Sequence, residues 1–222
     1  NPKVGALRVW EVATGEVRAT FADAIPQDRG AAFSPNGLLI AHAERSGGQL
    51  SLVVRNVGAF DVVKRLPCDG ENTQGVAFDR TGAIVGASVD REVILWTVRT
   101  GAEVLRFGGD FHQTLGIAFS PTADLLAVQD GRGAFKRDGT WEHDSRVLLF
   151  DIDPKSPNYK QRLHTWDTPD DGFAADVRFS PDGANVMFCR GEHGLVRVAS
   201  HDVKTGAKVA EIVPQPTRCQ IT

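Results

Sequence analysis

Short apolar runs alternate with turn-forming residues along this chain, and the clearest case is the stretch 75–105. Its runs at 75–78, 83–87, 93–96 and 103–105 are divided by Asp79-Arg80-Thr81-Gly82, Val89-Asp90-Arg91 and Arg99-Thr100-Gly101. Runs of that length between such breaks predict four strands of one antiparallel meander. A lone four-stranded meander leaves both of its faces bare, so it needs neighbours of the same kind.

The pattern recurs. The runs ending in Trp10, Val53 and Trp96 lead to glycines at 15, 58 and 101, two successive steps of 43 residues. One meander per fixed period predicts a radial array. Two motifs accompany the period. First-strand ends read Phe33-Ser34-Pro35-Asn36-Gly37, Phe78-Asp79-Arg80-Thr81-Gly82, Phe119-Ser120-Pro121-Thr122-Ala123 and Phe179-Ser180-Pro181-Asp182-Gly183. Third strands read Asp90-Arg91-Glu92-Val93-Ile94-Leu95-Trp96, Asp144-Ser145-Arg146-Val147-Leu148-Leu149-Phe150 and His193-Gly194-Leu195-Val196-Arg197-Val198-Ala199. On these motifs the chain resembles the WD-repeat (WD40) β-propeller family, in the divergent form common in bacterial multi-repeat proteins. The resemblance spans nearly the whole chain. It implies an all-β fold, a β-propeller of four-stranded antiparallel blades with about four and a half blades present. They fall at about 1–22, 29–66, 74–107, 115–165 and 174–213, followed by a tail at 214–222. Fold of this kind says little about function, which resides in sites.

Departures from the family pattern matter. The tryptophan position holds Trp10, Val53, Trp96, Phe150 and Ala199 in turn, and the family's Asp-His-Ser-Trp network is complete in no blade. The blade at 74–107 comes closest, with Ser88, Asp90 and Trp96. A half-satisfied buried network is worse than an apolar one, so Val53 and Phe150 are expected as apolar replacements in blades held by packing.

Composition adds exclusions. With 25 basic and 28 acidic residues the formal charge is −3, which argues against a general nucleic-acid or anionic-membrane binder. No apolar run approaches the ~20 residues of a membrane span. Cys68, Cys189 and Cys219 form no repeating framework, so a disulfide scaffold is not indicated. No signal-peptide pattern opens the chain, which makes a cytoplasmic location the expectation. The opening Asn1-Pro2-Lys3, the single methionine at 187 and the proline-rich tail lead to the further expectation of a segment from a longer propeller, with missing blades or a fused domain.

Irregularity concentrates on one set of loops. The step from Trp96 to Phe150 is 54 residues rather than 43, and the excess lies in a hairpin at 130–144, longer than the usual loop of 2 to 5 residues. That insertion displays Arg132, Phe135, Lys136, Arg137 and Trp141, side chains of the types that dominate interfaces. The next loop on the same face carries Trp166, Asp170 and Asp171 and is acidic. In the resembled family this face usually binds partners, so a protein or peptide partner is expected there; a self-contained lid over the blade is the other reading.

Catalytic motifs are missing: there is no Gly-x-Ser-x-Gly, phosphate-loop, His-Glu-x-x-His or Cys-x-x-Cys pattern. Cys189 with His193 and His201 lacks the four converging ligands of a zinc site. Asp138, Glu142 and Asp144 fit no standard calcium loop. First-strand segments that would line a channel are small and apolar apart from Asp176 and Arg178. These observations predict a non-catalytic scaffold or sensor module with no cofactor and no metal. The alternative is the propeller domain of an enzyme or redox protein whose active residues lie in missing blades or a fused domain.

Overall fold

The computed structural model describes residues 6–24, 30–108, 110–135, 141–167, 174–192 and 195–212, and every regular element among them is a β-strand. Local turn chemistry sets the strand ends. After Phe78, the Gly82 N–H donates to Asp79 O at 3.1 Å and the Asp79 N–H to Ile84 O at 3.0 Å. The Asp79 carboxylate accepts from the N–H groups of Thr81 and Ile84. Gly82 adopts a φ of 74°, a left-handed backbone that costs a residue with a side chain about 1 kcal/mol or more. The same bonding returns in the turns at 34–39 and 180–185.

The elements follow in chain order. β1 (Leu7–Trp10) and β2 (Val17–Phe21) make a two-stranded ribbon. β3 (Ala31–Phe33), β4 (Leu39–Ser46), β5 (Gln49–Asn56) and β6 (Val62–Pro67) form one antiparallel sheet in that order. β7 (Thr73–Phe78), β8 (Ile84–Val89), β9 (Glu92–Thr97) and β10 (Glu103–Phe107) form the next. β11 (Thr114–Phe119), β12 (Leu125–Phe135), β13 (Trp141–Asp151) and β14 (Arg162–Asp167) follow, then β15 (Ala174–Phe179), β16 (Asn185–Glu192), β17 (Leu195–Asp202) and β18 (Lys208–Ile212). Each sheet is a simple meander, so each blade is closed by local contacts.

One sequence expectation is corrected here. Residues 130–135 and 141–146 form a ladder rather than part of a long loop: β12 and β13 continue, pairing Asp130 with Arg146, Arg132 with Asp144 and Phe135 with Trp141. Pairing satisfies backbone N–H and C=O groups that an irregular loop of that length would leave to water. Residues 136–140, between the strand ends, lie outside the described residues.

The chain divides into two compact units, Asn1–Phe119 and Ser120–Thr222. In the first, Ala41, Ala43, Leu52, Leu66, Phe78, Val85, Ile94 and Trp96 form one apolar core. Asp90 ties this unit together, its carboxylate accepting from the N–H groups of Glu71 at 2.8 Å and Asn72 at 3.1 Å. Strand alternation puts Ala41 and Ala43 on one face of β4 and Ile40, His42 and Glu44 on the other. In the second unit Leu126, Val128, Leu148, Val177, Val186 and Phe188 are buried. No helix among the described residues is long and apolar enough to cross a membrane.

Candidate functional site

Strand register gathers a charged cluster on that second face of β4. Ile40 pairs with Arg55, His42 with Val53 and Glu44 with Ser51, while Val53 pairs with Arg65 on β6. His42, Glu44, Arg55 and Arg65 therefore share one side of the sheet. Glu44 is only 3% exposed. Its Oε1 lies 2.5 Å from Arg55 Nη2 and its Oε2 lies 2.8 Å from Arg65 Nη1.

Arg55 organises the rest. Its Nη1 donates to Phe60 O at 3.0 Å and its Nε donates to His42 Nε2 at 3.3 Å. A guanidinium N–H only donates, so His42 Nε2 carries a lone pair and the proton sits on Nδ1, which faces Ala43 O at 3.4 Å. His42 Nε2 is also 3.5 Å from Glu44 Oε1, a contact that becomes an ion pair only on protonation. Burial holds the His42 pKa below its ordinary value, against the opposing pull of Glu44. For Glu44, burial pushes upward, but the hydrogen bonds from Arg55 and Arg65 prevail and the carboxyl titrates below its ordinary range. At neutral pH the cluster is a neutral imidazole beside a carboxylate held by two guanidiniums.

Aromatic rings cover this cluster. Phe21 stacks on His42 with centroids 4.7 Å apart, and the Arg55 guanidinium carbon lies 4.7 Å from the Phe21 centroid. Phe60 meets Phe21 edge-on at 5.9 Å. Phe60 has a φ of 61°, in the left-handed region that a bulky side chain rarely adopts. The bond from Arg55 to its carbonyl and the contact with Phe21 hold it there. A cavity of about 460 Å³ borders the cluster, lined by Arg18, Thr20, Phe21, Asp23, Arg55 and Phe60 among others.

The residues singled out from sequence are distributed differently. Arg132, Phe135 and Trp141 stand on the extended ladder of β12 and β13, whereas Lys136, Arg137, Asp170 and Asp171 lie outside the described residues. Trp166 is corrected from a partner-facing residue to a core residue. It is 6% exposed, its indole N–H donates to Gly206 O at 2.8 Å, and it packs against His164, Phe188 and His201. The reason is the pleat: in β14 the tryptophan alternates to the covered face. Asp176 and Arg178 pair with each other at 3.0 Å with both side chains largely exposed. Cys189 and His201 stand on neighbouring strands, and His193 and Asp138 lie outside the described residues. Among the described residues no three His, Cys, Asp or Glu side chains are grouped to hold a metal ion.

None of His42, Glu44, Arg55 and Arg65 was singled out from sequence. A signal was present: His42 and Glu44 occupy alternate positions with Ile40, and the positions between them, Ala41 and Ala43, are small and apolar, so both share a face inside a sheet. Their partners were invisible, because they come from β5 and β6 by register.

No protein-family model matches the chain, and no curated protein matches it. Among solved structures, hydrazine synthase of Kuenenia stuttgartiensis superposes with a TM-score of 0.72 at 14% identity, over 94% of this chain and 60% of that one. The fold is that of a β-propeller, all-β with four-stranded antiparallel blades. This chain spans 60% of the length of that neighbour. The expectation of a non-catalytic chain is corrected by the same finding, since the structural neighbour is an enzyme. That expectation rested on the lack of a recognised catalytic motif and on the small, apolar first-strand segments, and neither decides a function that resides in sites rather than in the fold.

Proposed function

We propose that this chain is a propeller domain, of the divergent WD-repeat kind, belonging to an enzyme whose reacting groups are carried by blades or a domain beyond the described residues. The observation that carries this reading is the commitment of the buried charges. Glu44 is held by two arginines and His42 accepts from Arg55, so neither is poised as a general base or nucleophile. The blade architecture shared with an enzyme of greater chain length supports it.

In this reading the ladder of β12 and β13 docks a protein partner or the neighbouring domain. Each of these strands has 11 residues where β8 and β9 have six, and the insertion at 130–144 supplies arginine, lysine and aromatic residues of the interface type. Arg132, Phe135, Lys136, Arg137 and Trp141 form the docking set, with Asp170 and Asp171 as its acidic counterpart. The test is to tag the full-length protein in its native host and replace 132–144 by an Asn-Gly turn. Native mass spectrometry is expected to show a larger assembly for the wild type and loss of one component for the variant. A wild-type protein that purifies alone, with no second polypeptide, no further domain and no bound group, overturns the reading. An unchanged assembly in the variant overturns the docking role.

A further inference from the structure

The cavity beside β2, β4 and β5 has no part in that reading. We propose that it binds a small organic monoanion, a carboxylate with a compact apolar body, held by Arg18 and Arg55.

Charge comes first. Glu44, itself in the wall, is held by both Arg55 and Arg65; Arg65 stands outside the lining, and its charge offsets that of Glu44 so that Arg55 is left as a cation at the cavity. Arg55 donates one N–H each to His42, Phe60 and Glu44, which leaves two of the five N–H groups of a guanidinium uncommitted. Arg18 donates through Nη1 to Glu11 at 3.0 Å, and both side chains are nearly half exposed. Its remaining N–H groups, and the Thr20 hydroxyl, have no partner among the described residues. A planar guanidinium with open N–H groups matches a carboxylate by paired hydrogen bonds. Asp23, also in the wall, disfavours a second negative charge on the ligand.

Size and lining come next. A volume of about 460 Å³ lies within the range of small-molecule sites and far exceeds the ~30 Å³ share of one water, so a bare inorganic ion leaves most of it unfilled. The cavity is open to solvent and its wall is more polar than apolar, with Phe21, Phe60, Ala19 and Ala59 supplying the apolar part. The two rings are fixed in advance, Phe21 by His42 and Arg55 and Phe60 by its hydrogen-bonded carbonyl. Pre-set rings reduce the ordering cost of binding, and a bulky residue held at positive φ is the kind of strain found at ligand clamps.

The test is a titration of the full 222-residue chain, followed through backbone amide NMR shifts, with benzoate as the probe and acetate and inorganic phosphate as comparison arms. Benzoate is expected to give saturable shifts at Thr20, Phe21, Ala59 and Phe60 with a Kd of ~1 mM. Arg18→Gln, at a half-exposed position where the fold is retained, is expected to weaken it about tenfold. Acetate is expected to bind at least about tenfold more weakly for want of an apolar body. Absence of saturable shifts at these four residues, or an Arg18→Gln variant of unchanged melting temperature and unchanged affinity, overturns the proposal. Phosphate binding as tightly as benzoate overturns the assignment to an organic monoanion. The 132–144 replacement is expected to keep benzoate binding, so the cavity and the docking role stand or fall separately.

Discussion

Arg55 Nε donates to His42 Nε2 across 3.3 Å, and that one bond fixes the imidazole as a neutral acceptor inside a charged cluster. A proton arriving at Nε2 would set an N–H against an N–H. Burial first, and the nearby arginine charge with it, hold the His42 pKa below the ordinary 6.5 in the folded protein, while the unfolded chain is not so held. As pH falls through this window the unfolded state binds more protons, so stability is full above about 6.5 and declines below it. The slope for one proton is at most about 1.4 kcal/mol per pH unit. The urea midpoint is expected to fall between pH 7 and 5.5, and His42→Gln, whose amide oxygen still accepts from Arg55, is expected to abolish that part of the fall. A midpoint that rises on acidification would mean that the folded cluster prefers the imidazolium. Glu44 acts in the same direction at lower pH, its contribution being lost as pH falls from the ordinary 4.5 through its depressed folded value.

Removing the carboxylate at the centre is expected to be costly. Glu44→Gln leaves Arg55 without its buried counter-charge, a change worth roughly 3 to 5 kcal/mol, read from urea denaturation. Arg65 is different: its side chain is 50% exposed, so Arg65→Met is expected to cost ~1 kcal/mol or less. Equal losses for the two variants would place Arg65, not Arg55, as the main support of Glu44.

Glycines at 75 and 58 are expected to respond in opposite ways to an added methyl group. A Cβ on Gly75 would lie 2.8 Å from Gly116 Cα and 3.0 Å from Ile117 N, which are backbone atoms of the adjacent sheet and cannot swing aside. Gly75→Ala is expected to lose about 1 to 3 kcal/mol. At Gly58 the nearest atom is Asn56 Oδ1 at 3.6 Å, and alanine there is expected to be neutral or to gain up to about 1 kcal/mol through the unfolded state. Thermal melts of the two variants make the comparison.

Trp166 separates packing from recognition. Trp166→Phe keeps most of the ring and loses the bond to Gly206 O, for an expected loss of about 1 to 2 kcal/mol. Trp166→Ala is expected to lose about 3 to 5 kcal/mol. Retained stability with lost partner binding would return Trp166 to the interface.

Blades were legible in the sequence because their signals are local. The turn at Asp79 to Gly82 makes its bonds within six residues, from Asp79 to Ile84, and the aromatic or aliphatic third-strand ends are buried at Val53, Trp96 and Phe150. The charged cluster was not legible, because Arg55 faces Glu44 only in the observed register of β4 against β5. A slip of one residue would send the two to opposite faces, and no local rule forbids it. Ladder extension at 130–135 was missed for a related reason: Asp130-Gly131-Arg132-Gly133 has turn composition, but pairing with 143–146 overrides it.

The ribbon of β1 and β2 has a practical consequence. Trp10 is 53% exposed, whereas Trp96, at the matching place in its own blade, is 2% exposed. Among the described residues β1 bonds to one neighbour, β2, and no strand of them pairs with its other side. Such a margin recruits whichever extended chain it meets. Strands built onto β1 in a longer protein would cover it, so the 222-residue segment expressed by itself is expected to turn cloudy with rising concentration, and Val9→Lys is expected to keep it clear.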